Sequence, residues 1–242
     1  MSTSNLNTQI SDLKSTNYAI IVAGGSGSRM QATIPKQFLL LNGLPVLMHT
    51  IQAFYDATSE PQIILVLPAD AISYWDELCK QYNFDTPHTV VSGGKTRFHS
   101  VKNGLDTIID TNAIVAIHDA VRPLTSVQII DASFTQAAEH GNAVVAVKSR
   151  DSIRQVKNEV SASLIRDEIY LVQTPQTFQL EQLKKAYEQH YSDKFTDDAS
   201  VVEETGVAIR LIEGDYRNIK ITFPEDIAIA ELLLKQLQNN NI

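Results

Sequence analysis

Short apolar runs return along the chain with amphipathic stretches between them: YAIIVA (18–23), QIILVL (62–67), HTVV (88–91), AIVAIH (113–118) and NAVVAVKS (142–149). Strands that are apolar throughout, rather than at every second residue, are those covered on both faces. Strands separated by helical segments form right-handed βαβ units. The pattern therefore predicts an α/β fold, a Rossmann-like, mainly parallel sheet with helices on both faces. In such sheets ligands collect beyond the carboxyl ends of the strands. Residues 24–37, 68–70, 92–97 and 119–125 become the candidate site before any motif is considered.

The rhythm breaks at about 150–172, where SIRQVKNEVSASLIRDEIYLVQ alternates like extended chain around a polar centre at Lys157 to Ser163 and predicts a projecting β arm. TFPEDIAIAELLLKQLQ near the end reads as a packing helix, with Thr222 and Glu225 spaced as a capping box and Pro224 in the first turn. No change of composition marks a linker, so 18–238 is expected to be a single domain behind a polar lead-in, residues 1–17, that has neither the basic nor the apolar region of a signal peptide. A cytoplasmic location is the expectation that follows.

The formal net charge of -8 argues against nucleic acid as a partner. No apolar run approaches the roughly 20 residues needed to cross a bilayer. The single cysteine, Cys79, lies among apolar residues in a helical pattern and reads as buried filler rather than as a nucleophile. An acidic chain can still hold a phosphorylated ligand if positive charge is concentrated locally. One stretch meets that condition, since no Asp or Glu occurs between Asp12 and Asp56.

Within it, GGSGSRMQATIPKQF follows the first apolar run directly. Gly24, Gly25 and Gly27 let backbone N–H groups turn around an anion without Cβ obstruction, and Arg29 and Lys36 supply charge. A P-loop would need Lys-Ser or Lys-Thr after the glycines. A dinucleotide fingerprint would need a glycine at Met30 and an acid about 20 residues on, where the chain runs VLMHTIQAF, and this disfavours a nicotinamide-dependent reductase.

The string G-G-x-G-x-R-M-x(5)-P-K-Q resembles the nucleotide loop of sugar-phosphate nucleotidylyltransferases. SGGKTRFHSV (92–101), HDAVRP (118–123), TPQTF (174–178), TDDAS (196–200) and NIKITFPED (218–226) narrow the resemblance to the 2-C-methyl-D-erythritol 4-phosphate cytidylyltransferases. It runs in order from about Tyr18 to Leu234 and implies the nucleotide-diphospho-sugar transferase type of fold. It also implies transfer of CMP from CTP to a sugar-alcohol phosphate, with Mg²⁺ as the divalent cation.

By that resemblance Arg29, Lys36, Arg166 and Lys220 are the expected catalytic residues. The nucleotide is expected at Ala23, Gly24, Gly25, Gly27, Gly94, Lys95, Ser100, Asp119 and Ala120. Several relatives carry an acid where Lys95 stands, so only its backbone contact carries over. Arg122, Ser152, Arg166, Thr174, Thr196 and Lys220 are expected at the acceptor. Asp119 reads either as a helix N-cap or as a carboxylate orienting Mg²⁺ or its water, the metal being held mainly by substrate phosphates. In relatives the arm embraces a second subunit, which implies a homodimer.

Two rival functions share these residues: a ribitol 5-phosphate cytidylyltransferase, which differs in the acceptor, and a non-catalytic nucleotide-binding protein on the same fold.

Overall fold

The computed structural model describes residues 15–23 and 34–239, the last two without their side chains. The first apolar run is β1 (Thr16–Val22). A small hairpin follows, β2 (Leu40–Leu41) and β3 (Leu44–Pro45), whose turn residues Asn42 and Gly43 both take positive φ, 47° and 85°. Asn and Gly tolerate that region, so the two-residue turn forms without strain. The chain continues through α1 (Val46–Tyr55), β4 (Gln62–Leu67), α2 (Ile72–Tyr82), β5 (Thr89–Ser92), α3 (Arg97–Leu105), β6 (Ala113–Asp119), α4 (Val127–His140) and β7 (Asn142–Lys148). The five strands expected from the apolar runs are thus present, and the connections between them carry the expected helices.

The arm is a hairpin of β8 (Arg154–Lys157) and β9 (Val160–Ser163), turning through Asn158 and Glu159 at positive φ. Beyond it, β10 (Tyr170–Gln179) leads to α5 (Leu180–Ala186), α6 (Asp198–Glu203), β11 (Leu211–Glu213) and α7 (Glu225–Asn239). The main sheet has seven strands in the order β11-β7-β10-β6-β1-β4-β5. All its pairings are parallel except those of β10, which runs antiparallel to both β6 and β7. The sequence reading had placed the start of β10 in the arm. β10 shifts register between Val172 and Gln176, and its buried Gln173, Thr174, Gln176 and Thr177 are polar, so it carries no apolar run of the kind that marks the other central strands.

Successive residues of β1 feed opposite faces of the sheet. Ile20 packs with Phe98, Val101, Leu183 and Val201 on one side; Ile21 packs with Leu47, Ile51, Trp75 and Ile130 on the other. All are buried, and each such side chain contributes roughly 1.5–3 kcal/mol of transfer free energy. A smaller cluster of Leu41, Val46, Val121, Leu124, Ile221 and Ala230 fastens α7 over the loop after β6. The entry of α7 differs from the Thr222/Glu225 box. The carboxylate of Asp226 accepts from the N–H groups of Thr222 and Phe223 at 2.7 and 2.8 Å, placing the cap one residue later. Cys79 packs at the edge of the second cluster, and burial with the nearby Asp76 pushes its thiol up to about 11. At neutral pH it is a thiol, as expected of filler.

Candidate active site

A cavity of about 230 Å³ opens beyond the carboxyl ends of β1 and β6. Val22 and Ala23 form one wall, Lys36 and Gln37 a second, and Asp119, Ala120 and Val121 a third, with Arg97 and Lys220 reaching in from α3 and from the segment before α7. Three of the four post-strand segments singled out from the sequence contribute; 68–70 does not.

Asp119 is the carboxylate among these lining residues. Lys220 Nζ lies 2.8 Å from its Oδ2, Arg122 Nε lies 3.4 Å from the same oxygen, and Arg97 Nε lies 3.7 Å from Oδ1. Burial alone would raise the Asp119 pKa. Arg97, then Lys220 and Arg122 outweigh it and hold the group well below the usual carboxylate range. Asp119 is therefore ionised at neutral pH. It ends β6 and the next helix starts eight residues later, capped by Ser126, so Asp119 is no helix N-cap. Lys220 is aimed by its neighbour Ile221, which is fully buried and donates its N–H to Val121 O at 2.9 Å.

Behind the charges lies a polar layer with little access to water. Thr174 Oγ1 accepts from the Asp119 N–H at 3.1 Å and stands 3.0 Å from His118 Nδ1. His118 Nε2 is 3.3 Å from Arg122 O, an acceptor, so the proton belongs on Nε2 and Thr174 donates to Nδ1. Asn218 donates to Thr174 O at 2.9 Å and accepts from Thr125 Oγ1 at 2.8 Å, while its own carbonyl accepts from Arg122 at 2.8 Å. Burial pushes the His118 pKa down to about 3, with Asp119 opposing. The imidazole is neutral across the physiological range.

At the far wall Thr96 caps α3, and Arg97 forms a two-pronged ion pair with Asp198 at 2.7 and 2.6 Å. Gly94 lies in the loop between β5 and α3. A Cβ there would collide with that of His99, so only glycine fits. The Ser100 hydroxyl accepts from the Gly94 N–H at 3.1 Å and lies 3.0 Å from Thr96 O, which folds the loop upon itself.

Of the site residues expected from the sequence, Ala23, Lys36, Asp119, Ala120 and Lys220 meet at the cavity, and Arg122 supports it from below. Gly94 and Lys95 are exposed on the neighbouring loop, while Ser100 is buried beneath it. Thr174 is buried with its hydroxyl committed to Asp119 and His118. Thr196 is exposed ahead of α6, Ser152 is exposed at the root of the arm, and Arg166 stands on the arm, 3.6 Å from Asp167. Gly24, Gly25, Gly27 and Arg29 lie outside the described residues. The sequence reading missed Gln37, Arg97, Asp198, His118 and Asn218 as individual members. Each sits inside a quoted motif, but only the fold joins Arg97 to Asp198, 101 positions apart.

Among the described residues no group of three or more His, Cys, Asp or Glu side chains could hold a metal ion. No helix among them is long and apolar enough to cross a membrane. What the cavity presents is fixed cations around one ionised carboxylate, at the strand ends where a nucleotide's phosphates are bound in open α/β sheets. That combination suits a protein of the α/β class that binds a phosphorylated nucleotide.

Comparison with known proteins gives the family. The model described as IspD, 2-C-methyl-D-erythritol 4-phosphate cytidylyltransferase, matches residues 18–236, and the chain belongs to this family. The protein of that name from Azobacteroides pseudotrichonymphae is 50% identical over 218 residues, 90% of this chain and 98% of its own. The one from Porphyromonas gingivalis ATCC 33277 is 48% identical over 92% and 99%. Among solved structures, the Francisella tularensis enzyme of the same name superposes with a TM-score of 0.75 at 34% identity, covering 90% of this chain and 100% of that one. The 4-diphosphocytidyl-2C-methyl-D-erythritol synthase of Anaerococcus prevotii gives 0.78 at 28% identity, covering 91% and 96%.

Proposed function

We propose that the chain transfers CMP from CTP to 2-C-methyl-D-erythritol 4-phosphate, yielding 4-diphosphocytidyl-2-C-methyl-D-erythritol and pyrophosphate in non-mevalonate isoprenoid precursor synthesis. The observation that carries this reading is Lys220, held 2.8 Å from ionised Asp119 in a cavity it shares with Lys36 and Arg97. An oxygen of the acceptor phosphate attacks the α-phosphorus of CTP, a P–O bond forms, and the bond to the β-phosphate breaks. A phosphate is already ionised near pH 7, so no general base is required. Buried neutral His118 suits that economy. The requirement is instead to offset repulsion between two polyanions and the charge growing on the leaving pyrophosphate.

Lys36 and Arg29 serve the triphosphate, and Lys220 serves the α-phosphate and the incoming phosphate. The backbone of the glycine loop (Ala23, Gly24, Gly25, Gly27) and of Gly94 and Lys95 takes the nucleotide, with Ser100 shaping the second loop from beneath. Asp119 and Ala120 adjoin the ribose, and Arg122 braces the acceptor side. Mg²⁺ would be held mainly by the substrate phosphates and its own waters, where it would offset phosphate charge, and Asp119, whose oxygens already face Lys220, Arg122 and Arg97, would meet it at most through a water.

Arg166 stands outside its own cavity on an arm whose Val160 and Ile165 are 71% and 65% exposed. Apolar side chains in that state favour a homodimer in which the arm crosses to the partner and Arg166 grips the acceptor phosphate there, alongside Ser152 and Thr196, while Thr174, buried with its hydroxyl committed, supports the acceptor side from behind Asp119. One catalytic domain, working in the cytoplasm, completes the reading.

The test is pyrophosphate release by the purified protein with CTP and Mg²⁺, offering methylerythritol 4-phosphate and ribitol 5-phosphate in parallel and exchanging CTP for ATP, GTP and UTP. Release that requires CTP and methylerythritol phosphate is expected. Preference for ribitol phosphate overturns the acceptor assignment, and no release from any pair overturns the enzyme.

A further inference from the structure

Asp198 has no exposed surface, yet it faces a residue of the cavity wall. Its two oxygens take the two terminal nitrogens of Arg97, and Tyr187 donates to Oδ1 at 2.6 Å. The start of α6 around it is fixed independently. Asp197 and Ser200 form a reciprocal capping box, and Gln176 holds both Asp197 and the Ala199 N–H, at 3.0 and 2.8 Å. With both terminal nitrogens committed, the remaining nitrogen of Arg97, Nε, is the one turned toward Asp119 Oδ1, at 3.7 Å. Asp198 is fully buried while the Arg97 side chain keeps 31% exposure, so the fork is anchored at its carboxylate end and presents Arg97 to the cavity.

Resting on the cytidylyltransferase reading above, we infer that Asp198 is a positioning residue: it holds Arg97 against the free side of Asp119 and so ties the loop that opens α3 to the loop that opens α6 across the cavity. Lys220 and Arg122 grip Asp119 Oδ2, and Arg97 faces the other oxygen. The carboxylate is clamped from both sides, and the Lys220 ammonium rests on it. Loosening Arg97 lets Asp119 turn and displaces Lys220 from the reacting phosphate.

The test is the double variant Arg97→Gln, Asp198→Asn, which removes both charges together and leaves no unpaired buried ion. Steady-state turnover, the KM for CTP and the melting temperature are measured on it, on Arg97→Lys and on the wild type. Misplacement of a reacting group costs on the order of 10- to 100-fold, so the double variant should lose at least about tenfold in kcat, keep its KM for CTP within about threefold, and melt within a few degrees of wild type. Arg97→Lys, which keeps the charge without the fork, should recover part of the lost turnover. A double variant that turns over as fast as wild type, whatever its melting temperature, overturns the positioning role and leaves the enzyme reading untouched. A wild-type protein that releases no pyrophosphate overturns both.

Discussion

The cavity floor and the arm stand at opposite ends of one scale. Around Asp119 three cations face one carboxylate, and the polar groups behind them are buried and partnered, from Thr174 through His118 to Asn218. Along β8 and β9 every residue is exposed, and the apolar ones have no core to join. The described residues of the floor find their partners within one chain. The arm carries apolar side chains whose burial needs a surface from elsewhere, and a second copy of this chain is the surface proposed. A difference of this kind separates residues that can be tested one chain at a time from those whose effects pass through assembly.

The sharpest way to break the comparison is to charge the arm. Val160→Asp with Ile165→Asp puts two carboxylates where the dimer would exclude water, and burying such charges unpaired costs several kcal/mol. Sedimentation should find wild type as a dimer and the double variant as a monomer that keeps its far-ultraviolet spectrum and its melting behaviour. An unchanged sedimentation coefficient would mean that the arm buries nothing.

On the floor, Lys220→Ala should cut kcat by about 100-fold or more, the scale set by removing one fixed donor from a developing charge, with the dimer intact. Activity within a few-fold of wild type would demote Lys220 to a structural partner of Asp119. Arg166→Ala crosses the two regions. Losing a charge-assisted contact to phosphate is worth about 2 kcal/mol, so the acceptor KM should rise roughly 30-fold while the KM for CTP stays near wild type. An unchanged acceptor KM removes Arg166 from the site.

The two regions also differ in how much of them could be read in advance. Apolar runs marked five strands, because burial on both faces leaves a signal in consecutive residues. The arm was legible for the opposite reason, as a stretch that belongs to no buried pattern. β10 was not, since its interior residues Gln173, Thr174 and Gln176 are polar and find their partners in Asp215, Asp119 and Asp197 rather than in the apolar core. The loop positions of Lys36, Asp119 and Lys220 followed from motif and topology together. Arg97 meeting Asp198 and His118 meeting Thr174 are pairings across long separations, and local patterns carry no record of them.

His118 gives the finest test, because its effect is a slope rather than a loss. Its folded pKa is depressed to about 3, whereas unfolded histidine titrates near 6.5. Between those values the unfolded chain binds the extra proton, so stability rises with pH across that window and falls on acidification. From pH 7 to pH 5 this single group should cost about 2 kcal/mol. Asp119, Asp131 and Asp215, with lowered folded values, lose their contributions only as pH falls through about 4 and below, so they are quiet in this range. His49 is also lowered by burial and adds a slope of the same sign, so the comparison must be made by difference. Denaturant unfolding of wild type and His118→Gln at pH 7 and pH 5 isolates the term. The variant is less stable at both, but its loss on acidification should be smaller than that of wild type by about 2 kcal/mol. Equal losses would mean that His118 gains its proton in the folded state. The layer beneath Asp119 would then be open to water, and the floor would resemble the arm more than its hydrogen bonds indicate.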